Sequence, residues 1–277
     1  MTPETRLVAL FGQPVAHSLS PAMFNTVFEK LGENRRYLPF NIDASDLGKA
    51  VDAARALKFD GFNVTMPYKT KIPDLLDGLD AIAGEVGAVN TVSRTENGLI
   101  GYNTDGEGAE RAIKAYDIRP KDLRVLVIGA GGSARAIVHR LSKEVVRLKI
   151  LNRDLDKARH VAEETGHGQV SFGKLGRAAL EKDLAETDLL INSTPIPTST
   201  VLDELGIPVN LLNGIDRIFD LSYDKPKSVV ASRASRISAL EMLLQQAGLS
   251  YRIWFERDAP LDLMRAALIN QVGEDWR

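Results

Sequence analysis

Residues 123–144, LRVLVIGAGGSARAIVHRLSKE, constrain the chain more than any other stretch, because a continuous apolar run, a glycine cluster and a segment of helical period follow one another directly. Within them Gly129, Gly131 and Ala134 form the pattern Gly-x-Gly-x-x-Gly/Ala. The first position permits a tight turn after a strand, the second lets backbone approach a pyrophosphate, and the small third residue lets helix and strand pack closely. The helix that follows turns its unpaired N–H groups and positive dipole end toward the phosphates. A doubly wound dinucleotide-binding unit is therefore expected. Its strand-and-helix series continues through residues 148–164 and 188–197 and ends near RIFDLSY, residues 217–223.

The residue about 20 positions beyond the glycines selects among dinucleotides. There the chain reads Asn152-Arg153-Asp154. A guanidinium fork suits a ribose 2′-phosphate, whereas a carboxylate pairs with an unmodified 2′-hydroxyl. Arg153 points to NADP. Asp154 points to NAD, the less favoured cofactor, unless it caps the helix that begins after it.

The first hundred residues alternate in the same way. Strands are expected at residues 7–12, 37–42 and 61–66, with helices at 21–32 and 46–58 between them. Asn97-Gly98, between two apolar runs, suggests a β-hairpin with a tight primed turn. The helical segments at residues 241–255 and 261–272 follow the second series and need a surface to pack on, so they are expected to return to the first domain. The resulting fold class is α/β with two domains. An N-terminal α/β substrate domain takes residues 1–105 and 239–277, and a Rossmann-type unit takes residues 106–238.

A chain of 277 residues suffices for two such cores. A net charge of -2 and a pI near 6.1 leave no general basic footprint for nucleic acid or an anionic membrane, so a small-molecule partner is expected. The absence of cysteine excludes disulfides, thiolate metal sites and a catalytic thiol. His17, His139, His160 and His167 show no metal-ligand spacing, and no metal is expected. No apolar run approaches the roughly 18 to 20 residues of a membrane-spanning helix, and the first residues lack the pattern of a secretory signal. A cytoplasmic monomer or homodimer is the expectation.

Four segments of the first domain place polar residues where strands meet loops: residues 17–21 (HSLSP), 63–69 (NVTMPYK), 87–91 (GAVNT) and 101–106 (GYNTDG). Strand ends line the ligand crevice of open α/β sheets, and these segments supply hydroxyls, amides, an ammonium and a carboxylate. That set suits a polyhydroxylated carboxylic acid. Each segment alone also has a structural use. Ser20 before Pro21 would cap a helix, Thr104 with Glu107 would form a capping box, Asn63 and Asn90 would serve turns, and Lys69 near Lys71 would be solvated.

Taken in order, HSLSP, NVTMPYK, GAVNT and NTDG followed by GAGGSAR resemble the shikimate dehydrogenase family, and the resemblance runs from Gly12 to Gln246. It implies NADPH-linked reduction of 3-dehydroshikimate to shikimate, with Lys69 as the acid–base residue and Asp105 beside it. Ser18 and Ser20 would hold the substrate carboxylate, and Thr65, Asn90, Asp105 and Gln246 its hydroxyls. Tyr223 would be a further substrate contact. Gly129, Ala130, Gly131, Gly132 and Ser133, with Asn152 and Arg153, would hold the cofactor, and the backbone of Leu221 would lie against the nicotinamide. The chain departs from the family pattern at Ala239, where glycine is usual, and between Tyr223 and Met242, which looks several residues short. A helix there is expected to be truncated or lost, at the nicotinamide end of the site. The alternatives are a quinate/shikimate dehydrogenase using NAD, a methylenetetrahydrofolate dehydrogenase, against which HSLSP and NTDG speak, and a non-catalytic NADP-binding sensor.

Overall fold

The apolar run near the N-terminus forms β1 (Arg6–Gly12), whose Val8, Ala9, Leu10 and Phe11 are all buried. A strand covered on both faces belongs inside a sheet with parallel neighbours. β1 indeed pairs in parallel with β2 (Arg35–Asn41) on one side and β3 (Gly61–Val64) on the other. The crossovers are α1 (Ser20–Lys30) and α2 (Leu47–Ala56). A short β4 (Gly78–Leu79) and α3 (Ala81–Val86) lead to the hairpin β5 (Thr91–Thr95) and β6 (Gly98–Tyr102). β5 runs antiparallel to β3, β6 antiparallel to β5, and the sheet order is β2-β1-β3-β5-β6-β4.

This computed structural model describes residues 2–168, 170–222 and 234–273. It separates into two units, one of Met1–Asp105 with Leu243–Trp276 and one of Gly106–Met242. The first unit is completed by most of α9 (Ala239–Phe255) and by α10 (Leu261–Val272), which packs against α1. Trp254 of α9 donates its indole N–H to the Val92 carbonyl at 2.9 Å. Gly61 makes this approach possible, since a Cβ there would overlap the indole.

The second unit takes α4 (Asp105–Lys114) from its second residue on and continues as β7 (Arg124–Ile128), α5 (Gly132–Leu141), β8 (Arg147–Asn152), α6 (Leu155–Thr165) and β9 (Val170–Lys174). Then come α7 (Arg177–Leu184), β10 (Leu189–Asn192), α8 (Thr198–Glu204), β11 (Arg217–Asp220) and β12 (Ser235–Ile237). Its sheet is parallel throughout, in the order β12-β11-β10-β7-β8-β9. The glycine cluster therefore leaves the carboxyl end of β7, with β10 and β8 on either side.

Three local expectations change. The hairpin turn is not primed: neither Glu96 nor Asn97 is among the described residues with positive φ, and Gly98 takes φ 101° instead, a bulge-type turn. Ser20 does not cap α1 but begins it; the Ser18 hydroxyl accepts the Ser20 N–H at 3.3 Å. Thr104 and Glu107 form no capping box, because Glu107 pairs with Arg111 and Thr104 turns to Asn90. Ala239 opens α9. The suspected short segment lies largely at residues 223–233, outside the described residues.

Candidate active site

Strand direction gathers the four polar segments. β1 and β3 end at Gly12 and Val64, the reversed β5 begins at Thr91, and β6 ends at Tyr102. In register, Phe11 lies beside Val64, Asn63 beside Thr91 and Thr91 beside Tyr102. All four segments thus emerge at one edge of the first sheet. Thr65 donates its N–H to the Phe11 carbonyl at 2.9 Å, and Gln13 does the same to Met66 at 2.9 Å, which joins the loop carrying Ser18 and Ser20 to the end of β3. Gly12 is required there, because a Cβ would overlap the Thr65 side chain. Ser20 is buried, and Ser18 and Thr65 are half-buried.

Lys69 is not a solvated surface lysine. Its ammonium donates to Asp105 Oδ2 at 2.5 Å, with side-chain exposures of 14% and 4%. Val89 N–H donates to the Lys69 carbonyl at 2.8 Å, which ties the lysine to the strand end carrying Asn90. The direction of the Asn90 amide follows from a group that can only donate: the backbone N–H of Thr104, 2.9 Å from Asn90 Oδ1. With its oxygen so engaged, Asn90 directs Nδ2 at Asp105 Oδ1, 2.8 Å away, and at Gln246 Oε1, 3.1 Å away. Asp105 is thus met at Oδ1 by the Asn90 amide and at Oδ2 by the Lys69 side-chain nitrogen. Asn103 holds the turn from below, accepting the Asp105 N–H at 3.0 Å and donating to the Ala88 carbonyl at 2.8 Å. The result is a charged acid beside its counter-ion, rimmed by amides and hydroxyls.

In the second unit the glycines divide by function. Gly129 has φ 111°, and a Cβ there would lie 2.5 Å from Ser193 Oγ, so the turn itself demands glycine. Gly131 has an extended backbone, and a Cβ would meet nothing within 4 Å. The fold does not explain this second glycine, and the open space beside it leaves room for the backbone approach of a ligand. α5 starts at Gly132 after an N-cap glycine, Gly131, that has no side chain to cap it, while Ala134 is buried against the sheet. These features fit a pyrophosphate at the α5 N-terminus, with Ala130 and Ser133 beside it.

At the end of β8, Asn152 donates to the Asp154 carbonyl at 2.9 Å, and Arg153 is exposed in the turn. Asp154 caps α6, its Oδ1 accepting the N–H groups of Asp156 and Lys157 at 3.0 and 3.2 Å. Leu221 donates its N–H to the Asn192 carbonyl at 2.9 Å, at the end of β11. Tyr223 lies outside the described residues.

Comparison with known proteins agrees with both halves. The sequence model of the shikimate dehydrogenase substrate binding domain matches residues 10–92, that of shikimate/quinate 5-dehydrogenase residues 110–220, and that of the shikimate 5′-dehydrogenase C-terminal domain residues 240–269. The chain belongs to the shikimate dehydrogenase family. Among shikimate dehydrogenases (NADP+), that of Methanobrevibacter smithii is 37% identical over 276 residues, 96% of each chain. The crystal structure of shikimate 5-dehydrogenase from Thermus thermophilus in complex with NADP(H) and shikimate superposes with a TM-score of 0.83 at 31% identity, covering 96% of this chain and 100% of that one. Quinate dehydrogenase from Corynebacterium glutamicum in complex with NAD gives 0.81 at 25% identity, covering 96% and 99%.

Sequence reasoning named the shikimate dehydrogenase motif residues and missed those that orient them. Thr104, whose N–H sets the Asn90 amide, has a capping box as its structural alternative in the sequence, and the structure does not form it. Asn63 falls in the strand expected at residues 61–66 and lies buried inside β3, so the turn alternative does not hold. The available signal was its place in a fully apolar strand, where an amide must have partners.

Proposed function

We propose that this chain catalyses the reversible NADPH-linked reduction of 3-dehydroshikimate to shikimate, a step of chorismate and aromatic amino acid biosynthesis. The observation that carries the reading is the Lys69–Asp105 ion pair, its carboxylate buried and its lysine half-buried, with Asn90 and Gln246 at its side. NADPH, when bound, supplies the hydride. Lys69 gives its proton to the carbonyl oxygen in reduction and takes it back in oxidation. Asp105 holds the ammonium in place and accepts a hydrogen bond from a substrate hydroxyl. Asn90, Thr65 and Gln246 bond the remaining hydroxyls. Ser18 and Ser20 bind the carboxylate, and Tyr223 is assigned as a further substrate contact on family resemblance.

The backbone from Gly129 to Ser133 holds the pyrophosphate, Asn152 and Arg153 the ribose 2′-phosphate, and Leu221 the nicotinamide. The capping role of Asp154 supports NADP over NAD, because it removes the acidic residue on which the NAD reading rested. A reductive step that draws on NADPH suits the cytoplasm, and we place the chain there as a monomer or homodimer. No described helix is long and apolar enough to cross a membrane.

Initial rates with shikimate and with quinate, each with NADP and with NAD, test this reading. Turnover is expected to favour shikimate with NADP. A preference for quinate with NAD would keep the acid–base pair and overturn both the substrate and the cofactor.

A further inference from the structure

Behind Asn90 and Gln246 lies a second layer of polar groups that the reaction leaves unused. The Asn63 amide oxygen accepts the Tyr37 hydroxyl at 2.9 Å. Its amide nitrogen lies 3.0 Å from the Asn90 carbonyl and 3.1 Å from both Thr91 Oγ1 and Ser250 Oγ. Thr91 Oγ1 is 3.0 Å from Asn90 Oδ1 and 2.8 Å from Ser250 Oγ, and Ser250 Oγ is 3.0 Å from the Gln246 carbonyl. Tyr37, Asn63, Thr91 and Ser250 are all buried. Phenylalanine, valine and alanine would fill three of these positions without any polar atom to satisfy, so sheet packing alone does not explain the hydroxyls.

Their bonds have a direction. Thr91 adds a second donor to Asn90 Oδ1 beside the Thr104 N–H, and this keeps Nδ2 on Asp105. Ser250 stands one helical turn beyond Gln246 on the same face of α9, so its bonds to the β3 and β5 ends set the rotation of the helix that brings Gln246 to Asn90.

We infer that Thr91 and Ser250, backed by Asn63 and Tyr37, are positioning residues: Thr91 reinforces the direction that the Thr104 N–H gives the Asn90 amide, and Ser250 fixes Gln246, so that the Lys69–Asp105 pair and the hydroxyl contacts stand ready before substrate arrives. Such pre-set geometry acts on the chemical step, where small displacements are costly. The inference rests on the proposed reaction, but part of its test does not.

Thr91→Val and Ser250→Ala should each lower kcat with shikimate on the order of tenfold, with the KM for NADP unchanged because the residues proposed to bind it lie in the other unit. The double variant should lose less than the product of the two, as expected of groups sharing one network. Thr91→Ser should restore kcat. Separately, side-chain amide proton exchange by NMR should show the Asn90 NH2 protected in the wild type and faster in Thr91→Val. Tyr37→Phe serves if Thr91→Val does not fold. Wild-type kcat together with wild-type Asn90 protection in the variants would overturn the inference, as would lowered stability with kcat intact. If the wild type turns over neither shikimate nor quinate, the proposed reaction fails, and the Asn90 exchange rates alone still decide: unchanged rates in Thr91→Val reject positioning, and faster rates uphold it.

Discussion

Asp154 follows Arg153 in the turn where the ribose 2′ position would be read, yet its carboxylate accepts two N–H groups from the first turn of α6. A capping role of this kind predicts that Asp154 serves stability rather than cofactor choice. Asp154→Ala should therefore destabilise the protein by about 1 kcal/mol, the usual worth of such a cap, with the NADP-to-NAD preference unchanged. Arg153→Ala should do the reverse, weakening NADP far more than NAD at unaltered thermal stability; equal weakening of both would remove Arg153 from the 2′-phosphate. For Lys69→Ala, loss of the acid–base group should lower kcat by roughly a hundred- to ten-thousand-fold while KM for shikimate changes far less. Near-normal turnover would exclude the lysine. Residue types and their order were enough to name Lys69, Asp105 and Asn90. Their hydrogen-bond directions were not legible, because these depend on Thr104 and Thr91 meeting Asn90 only after β3, β5 and β6 have paired.

At the scale of elements, β2 shows what a linear reading leaves out. Residues 37–42 were legible as a strand from their apolar character, but nothing local says that β2 lies at the sheet edge with β1 as its one partner among the described residues. In a parallel strand the N–H and C=O of alternate residues point to the same side. Asn25 of α1 donates to the Tyr37 carbonyl at 2.9 Å and accepts the Tyr37 N–H at 2.8 Å, so Tyr37 and, two residues on, Pro39 face outward. Pro39 has no N–H to offer. An amide side chain and a proline thus blunt an edge that carries the exposed Leu38 and Phe40 and would otherwise template pairing with another chain. Asn25→Ala should cost about 1–3 kcal/mol by stripping partners from buried Tyr37 backbone groups, read as a lower denaturant midpoint at constant slope, and should promote self-association in sedimentation. An unchanged midpoint would mean that water replaces the amide. The strands β9 and β12 went unread for a related reason: the five residues of β9, none of them buried, and the three of β12 carry too little apolar pattern, and their pairing with β8 and β11 supplies what the local sequence lacks.

At the scale of the whole chain, the first unit is assembled from both ends of the sequence. The need for it was legible, since two apolar helices after the second sheet had no partner there; the contacts that secure them were not. One lies at Glu33, just before β2, which pairs with Arg35 at 2.7 Å and with Arg257, and accepts the Tyr251 hydroxyl of α9 at 3.1 Å. Burial, reinforced by the Glu33 charge, raises the Tyr251 pKa from 10.0 to about 12. The folded state therefore holds a proton that the unfolded chain releases earlier, and above pH 10 the unfolded chain binds fewer protons than the native one. The contribution of this group is complete below pH 10.0 and is lost as pH rises toward about 12. In Tyr251→Phe that part of the alkaline loss should vanish. Other tyrosines and lysines titrate in the same range, so the quantity to measure is the difference between wild type and variant in unfolding free energy across a pH series. A difference that stays constant from neutral pH upward would mean that the hydroxyl is not coupled to folding, and that α9 is held to the N-terminal half by its apolar and arginine contacts alone.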